Sequence, residues 1–144
     1  FSGFNPLSTE REGNGWPTPY VSMAELYDAE LLAAVVPAVE AAGVAFPTGV
    51  AGYWMGPSFE TPAEIRLAQL AGCSISSNSF LPEVVAGYHA GMRVVAFTFI
   101  STMSAGIGPP IDLGPVLDAT RRAHDDFRTI LRAAIPVLAD TASA

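Results

Sequence analysis

The sequence has no lysine, one cysteine and two histidines, and each shortage closes off a class of function. All seven basic residues are arginines, set against fourteen acidic ones, so the formal charge is −7 and no basic stripe is available to neutralise nucleic-acid phosphates. Polymeric nucleic acid is excluded as a partner on that ground. Cys73 alone cannot form an intrachain disulfide, and His89 and His124 stand too far apart for a metal-ligand spacing, which predicts a reducing compartment, no metal site and no cofactor. No apolar run reaches the roughly 18 uncharged residues of a membrane span. The first residues also lack the basic-then-apolar order of a targeting peptide, so the expectation is a cytoplasmic soluble protein with no membrane partner.

What the chain does have is apolar side chains. It is 144 residues long, one domain's worth, with 50% hydrophobic and only 15% charged residues, more apolar surface than a chain of this length comfortably buries. It opens at Phe1 rather than Met, the expectation being a processed chain or one that begins inside a longer sequence.

Residues 1–19 carry Gly3, Pro6, Gly13, Gly15, Pro17 and Pro19 without periodic apolar positions and read as a loop. Ser22-Met23-Ala24-Glu25 has the form of a capping box, which predicts a helix with Leu26, Leu31, Val35 and Val39 along it, ending before Gly43. Residues 44–56 read as a strand or hairpin-like pair, 61–71 as a helix closed by Gly72, and Cys73 to Ser77 as a short strand; Pro82 and Glu83 start a helix that Gly91 ends. Val94 to Ile100 is β-branched and aromatic, the composition of a strand covered on both faces, and is expected to be the central strand. After the Gly106–Pro110 loop, residues 112–139 predict the longest helix, with Val116, Leu117, Ala123, Phe127, Ile130, Leu131 and Ile135 along one side. Alternating strands and helices make an α/β fold with a mostly parallel sheet and flanking helices. Only about three strands can be counted, fewer than a sheet covered on both faces usually has, so a second polypeptide, an absent N-terminal half or an oligomer is expected to complete it.

The run Gly56-Pro57-Ser58-Phe59-Glu60-Thr61-Pro62-Ala63-Glu64 is the most informative stretch. Thr61 can cap the next helix, Pro62 suits a first helical position, and Glu64 can reach back to the Thr61 N–H, so these three follow from folding alone. Phe59 and Glu60 do not. They lie between an apolar run and a helix start, where open α/β sheets bind ligands. His89 reads as a structural hydrogen-bonder, His124, Asp125 and Asp126 as a solvated helix face, and Cys73 as a small buried apolar residue.

With Ile65 and Arg66 added, this run resembles the purine-site segment of trimeric purine nucleoside phosphorylases. Phe1 to Leu7 resembles that family's mid-chain loop, and Pro82-Glu83-Val84-Val85 with His89-Ala90-Gly91-Met92-Arg93-Val94 resembles its next helix and strand, in the same order and at similar spacing. The resemblance covers nearly the whole chain and implies that residues 1–144 are the C-terminal half of a nucleoside phosphorylase-like α/β domain. The family's phosphate-binding loop and its ligands lie in the other half, so a partner chain supplying the missing N-terminal half is implied, in a homo- or hetero-oligomer of trimeric type.

By resemblance, Glu60 matches the Glu that grips a 6-oxopurine edge, Phe59 the aromatic beside the base, Ser79 a serine at phosphate and sugar, and Tyr20 an aromatic donated across the trimer interface. The small-molecule substrate is then a purine-type nucleoside, with phosphate as co-substrate. Departures fall in the same pocket. Thr102 stands where a purine-binding Asn is expected, Asn78 replaces a Met that packs on the sugar, Ala51 replaces a Tyr, Leu113 falls near a His that contacts the 5′-hydroxyl, and Phe80 replaces a small hydroxyl residue. Three functions stay open: a phosphorylase or nucleosidase completed by its partner half, a repurposed enzyme of specialised metabolism acting on a less polar substrate, and a non-catalytic assembly subunit.

Overall fold

The computed structural model describes residues 5–9, 18–44 and 46–142. Its sheet is a parallel strand pair. β1 (Ala51–Tyr53) pairs in parallel with β2 (Ile75–Ser77), with Gly52 opposite Ser76. The ladder extends beyond both strands: the Ser74 N–H donates to the Val50 carbonyl at 2.9 Å, and the Trp54 N–H donates to the Ser77 carbonyl at 2.9 Å. A parallel pair needs a crossover. α2 (Pro62–Leu70) provides it, with Ile65 and Ala68 buried.

Local chemistry sets the ends of the helices. The capping box at α2 is complete: the Thr61 N–H donates to Glu64 Oε2 at 2.7 Å, and the Glu64 N–H donates to Thr61 Oγ1 at 3.3 Å. At the other end Gly72, at φ +80°, donates to the Gln69 carbonyl while the Cys73 N–H donates to the Ala68 carbonyl, the paired bonds of a Schellman stop. α3 (Leu81–His89) stops in the same way, with Gly91 bonded to Tyr88 and Met92 to Gly87. Glycine is required at Gly72 and Gly91 because a left-handed turn closes each helix.

The core lies between α1 (Ala29–Ala41) and α4 (Leu113–Ala142). Val35 and Val39 from α1 are fully buried against Ile130 and Ala134 from α4, and Val44, Phe46 and Phe97 close the cluster. The Phe46 and Phe97 rings meet edge to face with centroids 6.2 Å apart. A short 3-10 turn, Pro6–Thr9, packs on α3 and buries Leu7.

Three expectations are corrected. α1 begins at Ala29, later than a Ser22–Glu25 box would start it; Ser22 Oγ accepts only from the Ala24 N–H, and the working cap is Asp28, whose Oδ1 accepts from the Leu31 N–H at 2.9 Å. The cap sits there because Asp28 is anchored from outside the helix: its N–H donates to the Val94 carbonyl at 2.9 Å and Arg93 grips its carboxylate. The run Val94–Ile100 is not a ladder strand among the described residues. It lies against the helix layer through Phe97, because a central parallel strand needs neighbours on its edges. The buried stripe of α4 is also displaced. Ile130 and Ala134 face the core, whereas Leu117, Leu131 and Ile135 stay exposed. The loop over residues 1–19 lies largely outside the described residues.

Candidate active site

Three connections leave the C-terminal ends of β1, of β2 and of the 94–100 run, and three contacts tie them together. The Asn78 side chain lies over Gly56, so that a Cβ added there would sit 2.9 Å from Asn78 Nδ2. The hydroxyls of Ser76 and Ser104 are 2.9 Å apart. Gly106, at φ +78°, abuts Pro62 closely enough that a Cβ would lie 2.9 Å from the proline Cβ. Glu60, Asn78, Ser79 and Thr102 therefore sit on loops held in one assembly. No hydrogen bond among the described residues joins Glu60, Ser79 and Thr102 to one another.

The first connection turns through a cis Gly56–Pro57 peptide and arrives at Phe59 and Glu60. Phe59 is 44% exposed, whereas Glu60 is only 9% exposed. The usual pattern is reversed, with an aromatic in water and a carboxylate in the protein. Among the described residues the Glu60 carboxyl accepts no hydrogen bond, and no fully buried side-chain nitrogen or oxygen lacks a partner. Its oxygens thus reach solvent from a buried stem. Immediately after it the capping box fixes the chain direction: hydrogen bonds from the Thr61 backbone and hydroxyl hold the Glu64 carboxyl below its ordinary value.

In the second connection the Ser79 N–H donates to Ser77 Oγ at 3.1 Å, leaving the Ser79 hydroxyl with no partner among the described residues. Phe80 follows at φ +60°, the only non-glycine residue with positive φ among the described residues. A bulky side chain in that region costs on the order of 1–3 kcal/mol. In the third connection the Thr102 hydroxyl donates to the adjacent Met103 carbonyl only at 3.5 Å, a weak local bond.

Other predicted residues lie further out. Ala51 opens β1, at the opposite end of that strand from Phe59 and Glu60, and is exposed. Leu113 is the first residue of α4 and is 61% exposed. Tyr20 is 85% exposed and follows Thr18, whose carbonyl lies 3.2 Å from His89 Nε2 at the C-terminal end of α3. Ser79 precedes the other end of that nine-residue helix, roughly 13 Å away along its axis. Tyr20 does not join the loops that carry Glu60. His89 is buried and bonded, as its structural reading expects.

Two features escaped sequence reading. The Asn78–Gly56 contact had no signal, since it joins residues distant in sequence. The strain at Phe80 had a faint one: α3 carries a proline in its first turn but no Ser, Thr, Asp or Asn at its N-cap.

A recess of about 430 Å³ lined by Glu40, Gly43, Val44, Phe46 and Pro47 lies where α1 runs toward β1. That is the N-terminal side of the strand, opposite to Glu60. Remote from both, Arg93 bridges Asp28 at 2.5 Å and Glu30 at 2.6 Å and donates to the Thr141 carbonyl at 3.3 Å. The Arg93 hydrogen bond, then the Leu31 N–H, hold the Asp28 carboxyl down to about 2 and thereby join α1, the 94–100 run and the end of α4. Among the described residues no group of His, Cys, Asp and Glu could hold a metal ion, and no helix is long and apolar enough to cross a membrane.

A parallel βαβ unit with flanking helices defines an α/β domain, the class of fold in which ligands bind beyond the carboxyl ends of the strands. A sequence model of the phosphorylase superfamily matches residues 1–136, and the chain belongs to that family. It is 31% identical over 136 residues to purine nucleoside phosphorylase 1 of Bacillus subtilis (strain 168), covering 94% of this chain and 50% of that protein. With purine nucleoside phosphorylase 1 of Geobacillus stearothermophilus it shares 32% over 134 residues, 92% of this chain and 48% of the other. The structure of Schistosoma mansoni purine nucleoside phosphorylase in complex with inosine superposes with a TM-score of 0.76 at 25% identity, covering 88% of this chain and 47% of that one. The chain spans about half the length of the curated relatives it matches.

Proposed function

We propose that this chain is the base-recognising half of a purine nucleoside phosphorylase-type enzyme, which cleaves the N-glycosidic bond of a purine-type nucleoside with phosphate as acceptor. The observation that carries the reading is Glu60: a carboxylate whose stem is buried and whose oxygens reach solvent without a hydrogen-bond partner among the described residues, beside an exposed aromatic and beyond the end of a parallel strand. Such a group suits the polar edge of a planar ring, with Phe59 covering its face.

In the reaction the bond from the anomeric carbon to the base nitrogen breaks, its electron pair leaves with the base, and a phosphate oxygen forms the new bond on the opposite face. Catalysis requires stabilising the departing base more strongly in the transition state than in the ground state. Glu60 and the Thr102 hydroxyl act on the base, and the free Ser79 hydroxyl faces the nucleophile side. Asn78 lies beside Ser79, and by the resemblance Ala51 and Leu113 stand in place of larger polar contacts, so substrate preference departs from inosine and guanosine. Tyr20 serves a neighbouring subunit's site. No cofactor takes part.

Phosphate ligands come from a partner half, in a cytoplasmic oligomer of trimeric type. Support for the partner comes from coverage of about half of each relative and from apolar side chains left exposed beside the ladder, Val50 and Met55, and at the end of the unpaired run, Ile100 and Met103. The test is phosphate-dependent release of hypoxanthine from inosine, or of the base from adenosine and guanosine, by the chain purified in its native assembly. Activity lost in Glu60→Ala supports the reading. Equal turnover without phosphate, or activity indifferent to Glu60, defeats it.

A second reading rests on the half-buried Phe80 and on Ala51 and Leu113, which are apolar where the resemblance expects aromatic or polar contacts. Under it, nucleosides neither bind nor react and apolar ligands raise the melting temperature.

A further inference from the structure

Phe80 occupies a backbone position that suits glycine. Its φ of +60° and ψ of −28° put it at the centre of a γ-turn, closed by the Leu81 N–H donating to the Ser79 carbonyl at 2.8 Å. Turns with a positive central φ are rare and strained, and glycine enters them without cost. The same residue is the N-cap of α3, where its side chain can accept no hydrogen bond from the first turn. Two local preferences are therefore broken at one residue, and its ring is half-buried.

Asn78, two residues earlier, touches the loop that carries the candidate site. The Asn78 amide lies on Gly56, at the bend that leads to Phe59 and Glu60. The Ser79 hydroxyl and the Phe80 N–H have no partner among the described residues. A relaxed turn at Phe80 would rotate the Ser79 hydroxyl and the Phe80 N–H together and withdraw Asn78 from Gly56, since the γ-turn is the pivot between β2 and α3.

We propose that Phe80 is a positioning residue: its half-buried ring holds the Asn78–Ser79–Phe80 turn in a strained conformation that sets the Ser79 hydroxyl and the Phe80 N–H against the loop carrying Glu60. Strain of this kind persists only where the surroundings over-determine it, and here it preorganises two donors for one ligand. The inference rests on the proposed function for the identity of the ligand, whereas the holding of the turn is independent of it.

The experiment compares Phe80→Gly, Phe80→Ala and Phe80→Leu in the full chain in its native assembly. Glycine removes the backbone strain, alanine keeps the strain and loses the ring, and leucine keeps strain and bulk. Amide exchange at Leu81, whose N–H closes the turn, is expected to accelerate about tenfold or more in Phe80→Gly while its melting temperature stays at or above that of Phe80→Ala. In the assembly turning over inosine and phosphate, kcat/KM is expected to fall about tenfold in Phe80→Gly. Adding Ser79→Ala to that variant should cost nothing further, and Phe80→Leu should recover most of the loss. Exchange at Leu81 unchanged in Phe80→Gly overturns the proposal, and so does a full additional loss from Ser79→Ala in the glycine background. If the wild type turns over no nucleoside, the proposed function fails, and the exchange measurement alone decides whether Phe80 holds the turn.

Discussion

The helix layer and the loop end of this molecule are built on opposite terms. Between α1 and α4, Val35, Val39, Ile130 and Ala134 are apolar and buried, and every one of them is accounted for by burial. At the strand ends Glu60 has a buried stem and accepts no hydrogen bond among the described residues, Phe59 stands in water and Phe80 holds a positive φ. Each of those three lowers stability where it stands. Residues that cost stability while neighbouring positions obey the rules mark where a fold serves a ligand rather than itself. Substitutions in the two regions should therefore separate stability from activity.

The largest effect is expected at Glu60. Glu60→Ala should reduce nucleoside phosphorolysis by about 10²–10³-fold, the usual loss for one preorganised group acting on developing charge, while the melting temperature stays level or rises. Steady-state kinetics with a thermal melt checks both, and a parallel fall in stability would erase the contrast.

Next comes Gly52 under the ladder, where an added Cβ would lie 2.4 Å and 2.6 Å from the Trp54 ring and 3.3 Å from Cys73 Sγ. Gly52→Ala should destabilise by about 3 kcal/mol, because overpacking a closed site forces the ring or the strand to move. Val35→Ala, in the helix layer, should cost about 2 kcal/mol from lost burial and the cavity left behind. Chemical denaturation measures each, and kcat/KM per folded enzyme should be unchanged for Val35→Ala. Thr61→Ala breaks the capping box next to Glu60 and should cost about 1 kcal/mol. Because that box directs the loop, KM should rise with the loss of stability, a coupling absent from Val35→Ala.

The smallest effect concerns acid. The Asp28 carboxyl lies at about 2 in the folded chain against an ordinary 3.8. A depressed carboxyl contributes stability that is fully present above the ordinary value and is lost as pH falls through the folded one. The loss should fall between pH 4 and pH 2, and Asp28→Asn should flatten the acid-unfolding profile there.

The local half of the architecture was legible because its signals are local. The Thr61–Glu64 box, the glycine stops at Gly72 and Gly91 and the spacing of Leu31, Val35 and Val39 all lie within a turn or two of the elements they define. Ser22–Glu25 had the same lettering as a cap and failed. Among the described residues no hydrogen bond from outside the helix holds it, whereas Asp28 is held by Arg93 and Val94 from more than sixty residues away. Glu60 could be singled out from its place before a cap, but not its burial, and Phe80 could be named as a change in the pocket, but not as a strained turn.

By itself, then, the sequence determined the family, the cap of α2 and the glycine stops of α2 and α3, because composition, capping chemistry and motif order are read along the chain. Tertiary structure decided which cap works, where α4 turns its apolar face, how deep Glu60 lies and that Val94–Ile100 runs without a ladder partner. Those depend on what approaches from elsewhere in space. An apolar run has the makings of a central strand, but only a neighbouring backbone can make it one.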